Sequence, residues 1–214
     1  MVKILSFDGL NRSGKGTQIG LLKRDLAQKS VEIEVLRGDG SRPGLNTEGF
    51  YDPLSEWWID WQMKEKTVND WNEAYTVLKR ENEERLREFS YQSPNGIILM
   101  DRSYISRYFM LKQQGKESTL EQIAREQELI PTTYFILHAP RDTLLSRESD
   151  DNPSKKRFRT EVITQWYDLW VKVIEEAKEL LREKIEIIDA TKDREEAYQR
   201  IKSRLNGERN GQEL

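Results

Sequence analysis

Short apolar runs alternate along the chain with longer segments in which apolar residues recur every three or four positions. The short runs predict strands over residues 2–7, 32–36, 97–101, 132–137 and 185–188. The helical periodicity predicts helices over residues 15–29, 54–66, 69–91, 104–113, 158–182 and 194–205, with two shorter ones opening at a Ser118 to Glu121 capping box and at Pro140. Strands that alternate with helices predict an α/β fold with a five-stranded parallel sheet and right-handed crossovers.

Length and composition narrow the class of protein. The 214 residues leave room for one α/β domain, which we place at residues 1–205, with 206–214 as a flexible C-terminal tail. The net charge is −3, so the protein has no overall positive potential that would attract nucleic acid, and no nucleic-acid partner is expected. The chain has no cysteine, which excludes disulfides and thiolate metal sites. With no signal peptide and no membrane-spanning apolar run, we expect a cytoplasmic protein without a membrane partner.

A glycine-rich segment, GLNRSGKGT, follows the first predicted strand and opens the first predicted helix. This order is typical of a phosphate-binding loop: the glycines let the backbone approach an anion, the helix N-terminus faces it, and Lys15 adds a positive charge. The alternative is a strand-to-helix turn without a ligand. Gly16 stands where a magnesium-binding hydroxyl is expected, and Thr17 follows it as the candidate ligand. The residues predicted to bind ATP are Gly9, Leu10, Asn11, Arg12, Ser13, Gly14, Lys15, Gly16 and Thr17.

The end of the third predicted strand carries a second candidate group. Asp101 would lie beside the glycine-rich loop, where a carboxylate can hold Mg²⁺, in part through water, or orient an acceptor. Arg102 would extend over the phosphates as a planar donor. The alternative is that Asp101 only caps the following helix. The chain lacks an NKxD guanine reader, which disfavours a GTPase.

Several segments resemble the thymidylate kinase family. They are FDGLNRSGKGTQ at 7–18, DRSYIS at 101–106, TTYFILHAP at 132–140 followed by LLSRES at 144–149, and EIIDATKDREEAYQRI at 186–201. The resemblance implies a P-loop nucleoside monophosphate kinase fold with a mobile lid at about 147–159. It also implies phosphoryl transfer from ATP to thymidine monophosphate (dTMP), a need for Mg²⁺, and a homodimer.

The same resemblance implies roles for individual residues. The expected catalytic residues are Arg12, Lys15, Asp101 and Arg102, and Arg147 is expected beside ATP. The expected substrate-binding residues are Arg37, Asp39, Arg80, Arg102 and Ser106. Lid cations are also available at Lys155, Lys156, Arg157 and Arg159, so the main catalytic cation lies either in the loop, at Arg12, or in the lid.

Some positions depart from the family pattern, so the sequence does not decide which acceptor the protein would phosphorylate. Asn11 replaces the usual aspartate that faces the acceptor sugar, and Thr76 stands where the family often stacks a phenylalanine on the base. One alternative is a deoxynucleoside kinase that phosphorylates a 5′-hydroxyl, with Asp39 as a conceivable base. Another is a nucleotide-binding regulatory module without turnover.

Overall fold

The computed structural model of the chain describes residues 2–37, 80, 82–127, 130–147 and 153–210. Five strands form one parallel sheet in the order β2-β3-β1-β4-β5, as the alternation of strands and helices predicts. The strands are β1 (Lys3–Asp8), β2 (Ile33–Arg37), β3 (Ile97–Asp101), β4 (Thr133–His138) and β5 (Ile185–Asp189). Because β1 lies between β3 and β4, the segments that follow these three strands meet at one edge of the sheet.

Helices cover the sheet on both sides. They are α1 (Lys15–Gln28), α2 (residues 82–92), α3 (Tyr104–Gln113), α4 (Leu120–Arg125), α5 (Arg141–Ser146), α6 (Pro153–Leu181) and α7 (Arg194–Asn210), with a 3₁₀ turn at Arg182–Lys184 after α6. Within the described residues, no helix is long and apolar enough to cross a membrane.

The core forms because successive strand residues point to opposite faces of a sheet that is buried on both. Leu5, Phe7 and Leu99 belong to the larger cluster, where the rings of Phe7 and Phe135 lie 5.3 Å apart between centroids. The other face packs a smaller cluster of strand residues against α2: Ile4, Leu36, Ile98 and Met100, with Leu86 and Phe89. Trp170 is fully buried, as its helical spacing predicts for a core residue.

Several boundaries differ from the predictions, the strand ends by at most one residue each. The capping box of α4 uses Thr119 and Gln122, because each side chain bonds the backbone N–H of the other, at 3.1 and 2.8 Å; it is not the Ser118 to Glu121 pair. Helix α6 begins at Pro153, where proline suits the first turn, and not at 158. Helix α7 continues to Asn210, so residues 206–210 of the expected flexible tail are helical.

Replacing Phe135 with alanine tests the larger cluster. Phe135→Ala should lower the free energy of unfolding by about 3–5 kcal/mol, because it leaves a cavity in a close-packed core. The measurement is denaturant unfolding followed by circular dichroism. Tyr91, which is 90% exposed, provides the matched aromatic control, and Tyr91→Ala should change stability by less than about 0.5 kcal/mol. Equal losses in the two variants would contradict this description of the core.

Candidate functional site

The glycine-rich loop between β1 and α1 begins at a position, Gly9, whose backbone conformation and surroundings suit only glycine. Gly9 has φ +152°, and a Cβ there would lie 2.5 Å from the carbonyl oxygen of Leu137 and 2.6 Å from Ser13 Oγ. Gly14 precedes α1 with φ +93° and offers no capping side chain. The first N–H groups of α1 therefore face the loop without a side-chain cap, the arrangement by which helix N-termini receive anions.

Lys15 lies inside this loop. Its side chain is buried, and Nζ donates to the carbonyl oxygens of Gly9 and Leu10 at 2.8 and 3.0 Å. These contacts hold a positive charge at the centre of the loop, as the motif predicts.

Arg102 reaches the same loop from β3. Nη1 lies 3.4 Å from the carbonyl oxygen of Gly9, and Nη2 donates to Asn11 Oδ1 at 3.2 Å. Its backbone is left-handed, with φ +71°, and its N–H donates to the carbonyl oxygen of Phe7 at 2.9 Å. This conformation costs a non-glycine residue about 1 kcal/mol or more, so the surrounding contacts must hold it in place.

A buried carboxylate anchors the segment that follows Arg102. Asp8 ends β1, is fully buried, and accepts from Ser103 N–H at 2.9 Å, from Ser103 Oγ at 2.8 Å and from Ser106 Oγ at 2.7 Å. Ser103 Oγ also caps α3 by accepting from Ile105 N–H at 3.2 Å. The sequence pattern does not single out Asp8; its only signal is an acidic residue directly after the predicted strand over residues 2–7.

Two phenols complete the surroundings of Asp8. Tyr134 donates to the hydroxyl oxygen of Tyr104 at 3.2 Å. Burial raises the pKa of both hydroxyls, and the negative charge of Asp8 raises each pKa further. Both phenols therefore remain neutral at physiological pH.

Arg12 connects the loop to the helices on the other side of the site. Its Nη1 donates to the carbonyl oxygen of Leu145 at 3.3 Å, and its Nη2 donates to Thr160 Oγ1 at 3.1 Å. Arg147 in turn donates to the carbonyl oxygens of Arg12, at 2.8 Å, and of Ala190. The two arginines thus tie the loop to the end of α5, to α6 and to the segment after β5.

A cavity of about 540 Å³ opens beside the loop, within the size range of small-molecule sites. Among the described residues that line it, the charged ones are all cations and none is acidic. The cations are Arg12, Arg147, Arg159, Lys192 and Arg194. Thr17 and Gln18 line the cavity near the start of α1, and Gln18 Nε2 donates to the carbonyl oxygen of Arg194 at 3.0 Å. Such a lining favours an anionic ligand.

The hydrogen bonds described above do not connect the remaining candidate residues to the glycine-rich loop. Ser106, expected to contact substrate, is fully buried with its hydroxyl bonded to Asp8, so that hydroxyl is already engaged inside the protein. Arg80 is exposed, and Asp101 ends β3 in register with Phe7. Asp39, Thr76, residues 148–152 of the expected lid and the side chains of Arg37, Lys155, Lys156 and Arg157 lie outside the described residues.

The described residues contain no group of three acidic, histidine or cysteine side chains that could hold a metal ion by themselves. A hydroxyl at Thr17 and a carboxylate at Asp101 are nevertheless the oxygen ligands that Mg²⁺ prefers when phosphates and water complete its shell.

Comparison with known proteins identifies the fold. No protein-family model matches the chain, and no curated protein sequence matches it. Among solved structures it is similar to a thymidylate kinase from Ehrlichia chaffeensis, with 17% identity, a TM-score of 0.63, and coverage of 95% of this chain and 98% of that one. The chain has the P-loop nucleoside monophosphate kinase fold. The predicted fold class is thereby confirmed, and at this identity the likeness extends to the fold alone.

The close approach at Gly9 leads to a prediction within this fold. Gly9→Ala should lower the free energy of unfolding by about 1–3 kcal/mol, because the new Cβ must displace the β4 backbone or the loop. Gly20, on α1 with open space around it, is the control, and Gly20→Ala should leave stability unchanged or raise it by up to about 1 kcal/mol. Denaturant unfolding of the two variants provides the test. A Gly9→Ala protein as stable as Gly20→Ala would contradict the steric argument.

Proposed function

We propose that this protein transfers the γ-phosphoryl group of ATP to a deoxynucleoside monophosphate, with dTMP as the acceptor, in a reaction that uses Mg²⁺. The observation that carries the proposal is that Lys15 and Arg102 meet at one carbonyl group. Lys15 Nζ lies 2.8 Å and Arg102 Nη1 3.4 Å from the oxygen of Gly9. Two cations, one at the start of α1 and one directly after β3, thus flank one loop, as a reaction between two phosphate groups requires.

Phosphoryl transfer depends on position and charge more than on covalent chemistry, since the transferred group spreads negative charge over its oxygens. In the proposed reaction Lys15 and the N–H groups of the loop bind the ATP phosphates. Arg102 binds the phosphate of the acceptor on the β3 side of the loop. Arg12 stabilises the charge that develops between them and is thereby the main catalytic cation.

The cation-lined cavity is the proposed place of the nucleoside part of ATP. It adjoins the loop through Ser13 and Gly14, and Arg147 borders it while holding the backbone of Arg12. Its apolar lining at Leu137, Ala190 and Ala197 provides the contact surface that a planar base needs.

Thr17 and Asp101 are the residues that would hold Mg²⁺, Asp101 in part through water. The ion would neutralise charge on the ATP phosphates during transfer. Both residues supply oxygen ligands, so the donor set fits the ion.

The choice of dTMP is supported by the likeness to a thymidylate kinase structure and by the segments that resemble that family. On the same support we propose one domain over residues 1–205, further acceptor contacts from Arg37, Asp39 and Arg80, a homodimer, and a cytoplasmic location. The family's arginine and proline near residues 37–43 are present in the sequence.

The alternative of a deoxynucleoside kinase receives less support from the contacts. The sequence feature that favours it is the occurrence of Arg107 and Tyr108 after the Asp101–Ser103 segment, an order similar to that of deoxynucleoside kinases. Arg107 Nη1 instead bonds Glu126 at 3.0 Å, and Tyr108 is buried with its hydroxyl donating to Glu176 at 2.5 Å. These two residues thus hold α3 against neighbouring elements.

Arg12→Ala should lower kcat by about 100-fold or more, because a cation that meets the developing charge acts mainly in the transition state. The KM for ATP should change by less than about threefold. Steady-state kinetics with both substrates varied would measure this, with Arg12→Lys as the control that keeps the charge. An unchanged kcat would assign the catalytic cation to the lid side, at Arg147 or Arg159.

A coupled assay of ADP release across all nucleoside monophosphates and nucleosides tests the reaction itself. We expect Mg²⁺-dependent turnover with dTMP and little with ribonucleotides or free nucleosides. Turnover with thymidine alone would establish a nucleoside kinase. Tight ATP binding without turnover of any acceptor would establish a regulatory module.

A further inference from the structure

We propose that Asp8 is a positioning residue, which holds Arg102 where it can bind the acceptor phosphate, through its bonds to Ser103 and Ser106. The inference rests on the proposed function, since it is there that Arg102 receives its role. Asp8 is fully buried beneath the loop, so it cannot touch a substrate itself. Any effect of Asp8 on the reaction must therefore pass through its neighbours.

The bonds to Asp8 account for its burial. A carboxylate inside a protein is stable only when donors surround it, and Asp8 receives one backbone N–H and two serine hydroxyls at 2.7–2.9 Å. The arrangement is directional, because the N–H of Ser103 can only donate. An amide in place of the carboxylate could keep its oxygen on the Ser103 N–H and the Ser106 hydroxyl, but its NH₂ group would then face Ser103 Oγ, which would have to accept where it now donates.

Arg102 lies between two fixed points. On one side, Asp101 is paired with Phe7 in the sheet, and the carbonyl oxygen of Phe7 accepts from Arg102 N–H. On the other side, Ser103 is bonded to Asp8 twice. The left-handed backbone of Arg102, with φ +71°, is unfavourable by itself and is maintained by these two attachments.

Because β1 ends at Asp8 and the loop begins at Gly9, the same strand end holds both halves of the site. Gly9 carries the carbonyl that Lys15 and Arg102 share, and Asp8 fixes the segment from which Arg102 extends. Loss of the Asp8 carboxylate should release the Ser103 anchor, let Arg102 leave the left-handed region, and move its guanidinium away from the loop.

A double-mutant cycle tests this coupling. Asp8→Asn should lower kcat/KM for dTMP by about 10- to 100-fold, the usual range for residues that orient a binding group. In an Arg102→Ala background the same substitution should change kcat/KM by less than about twofold, because the residue through which it acts is gone. The Kd for ATP, measured by calorimetry, should stay within about threefold of wild type in all four proteins.

Two further variants keep the test decisive. Ser106→Ala removes one of the three donors and should lower kcat/KM for dTMP about 3- to 10-fold in the wild-type background only, so it serves if Asp8→Asn does not fold. Asp189→Asn is the matched control. Asp189 ends β5 and accepts from the N–H and hydroxyl of Thr191 at 2.9 and 2.6 Å, much as Asp8 does from Ser103. It should leave kcat/KM within about twofold in both backgrounds.

A readout that needs no turnover separates this inference from the proposed function. The ¹³C chemical shifts of Arg102 Cα and Cβ report its backbone conformation and should change from left-handed values in the wild type to extended or helical values in Asp8→Asn. Equal losses of kcat/KM in the two backgrounds, or unchanged Arg102 shifts, would overturn the positioning role. If the wild type turns over no acceptor but the Arg102 shifts respond, the proposed function fails while the positioning role stands.

Discussion

The pairing of β1 with β3 on one side and β4 on the other is the constraint on which the rest of this structure depends. Parallel strands place their carboxyl ends at one edge, and β1 at the centre places the glycine-rich loop between Arg102 and the segment after Leu137. The close approach of Gly9 to the Leu137 carbonyl is a direct result of this pairing. A shift of register between β1 and β3 would separate Lys15 from Arg102, and one between β1 and β4 would change the approach of Gly9 to Leu137.

Positive charges are concentrated around the loop, and their mutual repulsion is unfavourable for the folded protein. Cations from the loop, from the end of α5, from α6 and from the start of α7 line one cavity, where like charges repel in a partly buried setting. The protein limits that repulsion by directing arginine and lysine donors at backbone carbonyls, as Lys15, Arg12 and Arg147 show. An anionic ligand would replace these weaker partners with full negative charges, so the cavity combines cations that have internal partners with an attraction for anions.

Two arginines link the loop to the end of α5, to α6 and to the segment after β5. Arg12 reaches the end of α5 and the first turns of α6, and Arg147 reaches back to the loop and to Ala190. A change in the position of α6 therefore acts on the same guanidinium that we assign to the transferred phosphoryl group.

The sequence by itself determined the strands, their parallel arrangement and the glycine-rich loop, because hydrophobic periodicity and glycine chemistry act over a few neighbouring residues. It also indicated Lys15 through its place in the glycine-rich loop, and Arg102 through its place directly after a strand. Only the tertiary structure decided where the side chains point: Arg12 to Leu145 and Thr160, and Ser106 inward to Asp8. The role of Asp8 could not be predicted from the sequence, because its three hydrogen bonds come from residues more than 90 positions away. Contacts between such distant residues do not affect the local pattern of hydrophobic and polar positions.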